Sequence, residues 1–154
     1  MYQILVQLHS IGRWIVLALL LVALVKSATG LANNRPYEKS DNTVGLLLTI
    51  FADLMLLIGL YLWFVGPWGY HQIEANGMST VMKDPTMRFF AVEHNVGMII
   101  AIALIHIGKA QGKKEITDLK KHRRMFWFYL IALIIILLSV PWPFRVAGAG
   151  RGWI

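Results

Sequence analysis

Residues 4–25 read ILVQLHSIGRWIVLALLLVALV, an apolar run in which Arg13 is the one fixed charge. A helix needs about 20 residues to cross the ~30 Å hydrocarbon core of a bilayer, so this run is long enough to span it. Three further apolar runs follow at Val44–Val65, Phe89–Ile107 and Met125–Val140. Backbone polar groups in lipid must be satisfied within their own segment, and therefore all four runs are predicted to be helices.

The composition agrees with a membrane protein. The chain has 154 residues, of which 57% are hydrophobic and only 15% are charged, a balance more apolar than that of soluble domains. No stretch between the runs is long enough to form a separate soluble domain. We therefore predict an all-α integral membrane four-helix bundle, a single domain over residues 1–154 with helices at about 4–26, 44–65, 88–109 and 124–141.

The distribution of Lys and Arg predicts the orientation, because cytoplasmic loops are enriched in these residues. Ten lie in the first and third loops and four lie in the second loop and the termini, with Arg13 set apart inside the first run. The ten are Lys26, Arg35, Lys39, Lys109, Lys113, Lys114, Lys120, Lys121, Arg123 and Arg124, and the four are Lys83, Arg88, Arg145 and Arg151. Both termini are thus predicted on the outer side. The basic third loop is interpreted as a contact with anionic lipid rather than with nucleic acid.

Two further features limit the chemistry. The first run lacks a basic leader and a small-residue cleavage site, so we expect it to remain as a membrane helix rather than to be removed as a signal peptide. The chain has no cysteine. Disulfides, thiolate ligands and covalent haem attachment are therefore excluded, and any haem must be held non-covalently.

The first and third runs each carry a histidine near the outer end. His9 lies five residues into the first run and His94 five residues past Phe89, so both are roughly 7–8 Å below the outer boundary. Ionisable residues inside a bilayer are rare and are functional candidates, and two facing imidazoles can ligate haem iron from both sides. Gly12 and Gly97 follow at the same spacing, where they would admit a flat macrocycle or allow close helix packing.

Three arginines lie in the same outer layer and could bind haem propionates. They are Arg13, Arg88 and Arg145, and the planar guanidinium suits carboxylates. Arg13 has a second candidate partner in Glu93, next to His94.

The remaining intramembrane candidates leave several roles open. His106 is about 18 Å deeper than His94, and its only candidate co-ligand, His122, is expected among the lipid headgroups; one haem is therefore favoured over two. Asp53 is expected to be protonated or paired inside the bundle, as a proton relay or a polar helix contact. His71 lies in the outer loop, either solvated or near a quinol site.

Four short motifs spread over most of the chain carry a family resemblance. They are Leu8-His9-Ser10 with Arg13-Trp14, Met82-Lys83-Asp84-Pro85 with Arg88, Ala91-Val92-Glu93-His94, and Pro141-Trp142-Pro143-Phe144-Arg145. In these the chain resembles a family of small bacterial four-helix membrane proteins described as cytochrome b-like. The resemblance implies a haem protein of the bacterial cytoplasmic membrane in which His9 and His94 match the ligand positions.

We therefore expect a b-type cytochrome with one haem b between the first and third helices. Its expected role is to carry electrons between the quinone pool and a respiratory-complex or outer-side partner, and two axial histidines favour an electron carrier over an enzyme. A quinone-linked oxidoreductase activity stays open, with Arg88, Glu93 and the outer loop as the candidate quinone site. The alternatives are a haem-free accessory or assembly subunit of a respiratory membrane complex and, third, a solute or proton transporter using Asp53 and His106.

Overall fold

The computed structural model describes residues 1–150 and 152–153, and over these residues it is all-helical, with no β-strand. In chain order the helices are α1 (Tyr2–Ala32), α2 (Lys39–Val65), α3 (Tyr70–Asn76), α4 (Met78–Lys83), α5 (Pro85–Arg88), α6 (His94–Ala110) and α7 (Asp118–Ser139). A π-helical turn, Phe89–Glu93, joins α5 to α6, and short 3₁₀ turns lie at Gln111–Lys113 and Val146–Gly148. Arg151, counted above among the outer cations, lies outside the described residues.

Four helical segments are long and apolar enough to cross a membrane. They are Tyr2–Ala32, Lys39–Asn76, Pro85–Lys113 and Asp118–Ser139. Large apolar side chains point outward along them: Leu57 is 64% exposed and Leu138 is 65% exposed. Soluble monomers rarely expose extended apolar surfaces of this kind. The all-helical prediction is confirmed, and the four segments indicate a multi-pass membrane protein.

In cross-section the four long helices lie at the corners of a square. α1 contacts α2 and α7, and α6 contacts the same two helices, so α1 and α6 face each other diagonally across the bundle. Leu20, Leu48, Ile105 and Tyr129 are fully buried at its centre, with alanines between them. Small residues at such contacts let helix backbones approach closely, which is the main source of helix association in lipid. Side chains that α1 and α6 direct inward therefore meet in the bundle core.

The helix bounds differ from the predicted ones at the end of the bundle formed by the first and third loops. α1 continues past residue 26 to Ala32. In this last part the Ser27 hydroxyl donates to the Ala23 carbonyl at 2.8 Å, and the Thr29 hydroxyl donates to the Val25 carbonyl at 2.9 Å. Both hydroxyls are therefore satisfied by carbonyls of their own helix and need no partner on another helix.

α2 begins at Lys39 rather than at residue 44 because Glu38 and Asp41 form a capping box. Asp41 is buried and also accepts from the Arg35 guanidinium at 2.8 Å and lies 3.3 Å from Lys26 Nζ. The hydrogen bond to Asp41 raises the pKa of Arg35, so this ion pair stays charged. α2 therefore begins five residues before the predicted start at about residue 44, which marks only the first residue of the apolar run.

α7 spans Asp118–Ser139 instead of residues 124–141. Asp118 stands in the first turn, where a negative charge favours the helix dipole. The helix ends before Pro141, because a residue that precedes proline is pushed into the extended region; Val140 has φ −80° and ψ 135°. The third membrane segment also departs from a regular α-helix, at the π-helical turn.

Candidate functional site

His9 and His94 face one another across the centre of the bundle. Their ring centres are 6.2 Å apart, and the ring planes meet at 73°. A metal-bound imidazole nitrogen lies about 2.0–2.1 Å from the metal and about 1.1 Å from its own ring centre, so two rings can share one metal at about 6 Å between centres. The separation of these two histidines therefore matches a shared metal ion.

His94 is held in place by α7. Its Nδ1 lies 2.7 Å from the Ser139 carbonyl oxygen. Because a carbonyl only accepts hydrogen bonds, Nδ1 carries the proton and Nε2 keeps a free lone pair. This arrangement fixes the tautomer and orientation of metal-ligating histidines and raises their basicity. His94 is thus prepared as a ligand through Nε2.

The π-helical turn just before His94 sets where this side chain enters the bundle. Such turns leave carbonyl groups without their usual helical partners and occur often at functional sites. Here the Trp63 indole donates to the Ala91 carbonyl at 2.9 Å, and the Asn95 amide donates to the Phe90 carbonyl at 2.9 Å. Two side chains therefore stabilise the irregular turn and, with it, the position of His94.

His9 is positioned by packing rather than by a hydrogen bond. Its ring lies over Gly59 of α2, where an added Cβ would come 3.1 Å from His9 Cε1. Its Nδ1 is buried and has no hydrogen-bond partner within the described part of the chain. A buried polar nitrogen without a partner is costly and is a common sign of a bound ion or ligand. His9 therefore has a buried nitrogen without a partner among the described residues, on a ring whose centre is 6.2 Å from that of His94.

A cavity of about 310 Å³ opens beside the two histidines, between α1, α2 and α6. Its walls are mainly apolar, with Leu56 and Gly59 from α2 and Ile99 from α6 among them. Cofactor sites in helix bundles are built in this way, from side chains of facing helices around an apolar space.

Arg13 also lines this cavity. Its Nη2 donates to the Trp153 carbonyl at 2.6 Å, and its guanidinium lies over the Trp14 and Trp142 rings, 5.3 and 5.4 Å from their centres. Its Nε is buried and makes no hydrogen bond within the described residues. Arg13 is therefore a cation at the cavity wall whose Nε–H group is available to a ligand.

The other two predicted arginines lie outside the cavity lining. Arg88 Nε is 2.6 Å from Glu93 Oε1, so the proposed Arg13–Glu93 pair is wrong: Glu93 pairs with its nearer neighbour at the mouth of the segment. Arg145 donates to the Leu138 carbonyl and lies 5.4 Å from the Phe89 ring centre. The three predicted cations are thus not brought together, and Arg13 is the one beside the histidines.

The two predicted glycines take part in helix packing. An added Cβ at Gly12 would collide with the Met55 thioether of α2, and one at Gly97 would collide with the Ser139 side chain of α7. Close helix approach, the alternative role for both, is therefore observed in this structure.

The deeper candidates separate into a surface pair and a buried histidine. His106 Nε2 lies 2.8 Å from Asp53 Oδ1, with both side chains about half exposed on the outer surface of the bundle. Of the two states predicted for Asp53, protonated or paired inside the bundle, the structure shows a pair, but the pair lies on the outer surface because α2 and α6 turn the two residues outward. His122, expected among headgroups, is only 1% exposed and packs against Gly30, whose missing side chain makes room for the ring.

The ligand set at His9 and His94 consists of two side chains. Within the described ranges no group of three or more His, Asp or Glu residues could hold a metal ion, and the chain has no cysteine. A metal at this pair therefore needs further ligands from a non-protein group.

No family model, curated protein or solved structure matches the chain.

Proposed function

We propose that this protein is a b-type cytochrome of the bacterial cytoplasmic membrane. It holds one haem b between α1 and α6 through His9 and His94, and it carries electrons between the quinone pool and a partner at the outer face. The observation that carries the proposal is the 6.2 Å separation of two imidazoles from diagonal helices, one of them tied through Nδ1 to a backbone carbonyl.

The residues present fit a haem. A porphyrin supplies four equatorial nitrogens, so the iron needs two axial ligands from the protein, and this site offers two histidines. The apolar cavity beside them suits the macrocycle, and Arg13 at its wall suits a propionate. Binding a propionate would also satisfy Arg13 Nε, which has no partner within the described residues.

A bound haem supplies reversible one-electron oxidation and reduction. His9 and His94 would both hold the iron, and a haem held by two histidines would favour electron transfer over chemistry on oxygen or a substrate. The Ser139 carbonyl would hold the His94 imidazole in the tautomer that offers Nε2 to the iron. These features support an electron carrier over a catalyst.

The excess of Lys and Arg in the first and third loops supports both termini, and with them the histidine layer, on the outer side. An outer-side redox partner follows from that placement. The family resemblance of the His9 and His94 motifs supports the bacterial cytoplasmic membrane as the location.

The test is to purify the protein after expression with ample haem and to record reduced-minus-oxidised spectra with haem quantitation. We expect a b-type α-band, a Soret band and one haem per chain. His9→Ala and His94→Ala should each abolish both bands. His71→Ala is the matched control, because His71 is an exposed histidine of α3 outside the bundle core, and it should retain the full spectrum.

A colourless wild-type preparation would overturn the proposal and favour the haem-free accessory subunit. Retention of the full haem content in both alanine variants would equally exclude His9 and His94 as ligands.

A further inference from the structure

An acid–base pair lies on the outer surface of the bundle, within two membrane-spanning segments. His106 Nε2 and Asp53 Oδ1 are 2.8 Å apart, and their side chains are 48% and 49% exposed. Ionisable residues inside a bilayer are costly and normally face the bundle interior or a water-filled cavity, where they serve substrates or protons. A pair left open to the membrane is therefore a candidate site for a ligand that arrives from the lipid.

The pair continues the wall of the haem cavity. Ile99 and Ile102 of α6 line that cavity, and His106 follows them at helical spacing on the same side. Leu56, also a cavity residue, follows Asp53 by three positions on α2. Ile99 is 50% exposed, so the cavity reaches the membrane-facing surface there. Gly59, which borders the His9 ring, lies six positions after Asp53 on α2. The two residues are therefore about 9 Å apart along the helix axis.

With Asp53 ionised, the hydrogen bond leaves one further acceptor on each of these half-exposed side chains. An ionised carboxylate only accepts hydrogen bonds, so in that state His106 Nε2 donates to Asp53 Oδ1. His106 Nδ1 and Asp53 Oδ2 have no other hydrogen bond within the described residues. Two acceptors side by side among exposed apolar side chains, such as Leu57 and Ile107, recognise a lipid-soluble molecule that carries hydroxyl donors on a flat apolar ring.

We infer that the Asp53–His106 pair is the binding site for the headgroup of a quinol dissolved in the bilayer, with its isoprenoid tail left in the lipid. This inference rests on the proposed quinone-linked electron transfer. It moves the quinol site away from the predicted Arg88 and Glu93, which neutralise each other outside the cavity lining. Because both free atoms accept, the site prefers the hydroxyls of a quinol to the carbonyls of a quinone.

The test is calorimetric titration of decylubiquinol and decylubiquinone, under anaerobic conditions, into the protein in lipid nanodiscs. Quinol should bind the wild type once per chain and more tightly than quinone. Asp53→Asn and His106→Asn each remove one side of the pair and should weaken quinol binding by about tenfold or more, the usual effect of losing a hydrogen bond to a charged group.

A steric variant and a matched control complete the design. Ala103 is exposed on α6, one turn before His106. Ala103→Trp therefore places a bulky ring next to His106 on the outer surface without touching the core, and it should also abolish binding, even if a polar variant fails to fold. His71→Asn is the control, because His71 forms a similarly exposed pair with Glu74, 3.5 Å apart, outside the long helices. It should bind quinol like the wild type.

Wild-type quinol affinity in Asp53→Asn and Ala103→Trp would overturn the inference. Loss of binding in His71→Asn alone would do the same, because it would place the site in the outer segment. Dithionite-reduced spectra of the same samples separate this result from the haem proposal. A variant that keeps its haem but loses quinol supports the inference, and so does colourless wild-type protein that still binds quinol at this pair.

Discussion

Gly97 sits where α6 meets α7, next to the residue whose carbonyl oxygen holds His94. Substitution at this position therefore tests whether the hydrogen bond from His94 Nδ1 to the Ser139 carbonyl matters for haem binding. We compare Gly97→Ala with Gly97→Val, because the two side chains differ in how far they push the helices apart.

The expected effects can be worked from the distances. An added Cβ at Gly97 would lie 2.1 Å from Ser139 Oγ, the end of a side chain that can rotate to another rotamer. Once Oγ has rotated away, the remaining contact is Ser139 Cβ at 3.0 Å, about 0.4 Å short of ordinary contact at 3.4 Å. A shift of that size lengthens the His94–Ser139 bond from 2.7 Å to about 3.1 Å, still within hydrogen-bonding range. Alanine should therefore keep haem affinity close to wild type. Valine adds two methyl groups beyond Cβ, breaks the bond, and should lower haem affinity by about 10- to 100-fold, the usual cost of losing a second-shell partner.

The assay is titration of haem into apo-protein, followed by the Soret band. Gly108→Val is the matched control, because Gly108 also packs α6 against α7. An added Cβ there would lie 2.8 Å from Tyr129 Cε1, and the site is eleven residues, about 16 Å, further along α6. Both valine variants should destabilise the bundle by roughly 1–3 kcal/mol through overpacking, but only Gly97→Val should lose haem affinity.

Equal haem affinity in Gly97→Val and the wild type, with helical content intact, would refute the role of the Ser139 carbonyl. Equal losses in Gly97→Val and Gly108→Val would refute it too, because the effect would then come from general loosening of the α6–α7 contact.

Two further predictions follow from charge. Arg13→Gln removes a cation from the cavity wall, so the haem midpoint potential should fall by tens of millivolts in a potentiometric titration; an unchanged or higher potential would place Arg13 away from the iron. Burial, and then the charge of Asp41, raises the pKa of Tyr37. The stability that this phenol contributes is complete below about pH 10, its ordinary value, and is lost as the pH rises through the folded-state pKa. Tyr37→Phe should flatten the loss of unfolding free energy above pH 10, and a parallel loss in both proteins would contradict this.

The helical architecture could be read from the sequence because four apolar runs of sufficient length leave few alternatives in lipid. The matched depth of His9 and His94 could be predicted as well, because the depth of a residue in the membrane follows from counting residues along its helix. Whether the two rings meet depends also on how each helix is rotated, and the structure places the ring centres 6.2 Å apart.

Contacts that depend on how a helix is turned about its own axis could not be predicted from the sequence. The sequence predicts that Asp53 is protonated or paired inside the bundle, but the rotation of α2 directs it outward to His106. The role of Ser139 could not be predicted from its side chain, because its backbone carbonyl accepts the hydrogen bond from His94. The π-helical turn at Phe89–Glu93 could not be predicted from its own residues, because side chains from another helix, such as Trp63, stabilise it.

The two histidines differ in how firmly they are held, and that difference indicates how a macrocycle enters. His94 is fixed between a π-helical turn and the Ser139 carbonyl, on the side where α6 and α7 pack closely. His9 has no hydrogen bond at Nδ1 within the described residues and borders Gly59 on the cavity side. The space above Gly12 is filled by Met55, an unbranched thioether that readily adopts other rotamers. Displacing Met55 widens the cavity between α1 and α2 without disturbing the α6–α7 contact. We predict that the haem proposed above would enter from the α2 side, where Met55 can move, and that the fixed His94 and the unbonded His9 would hold it.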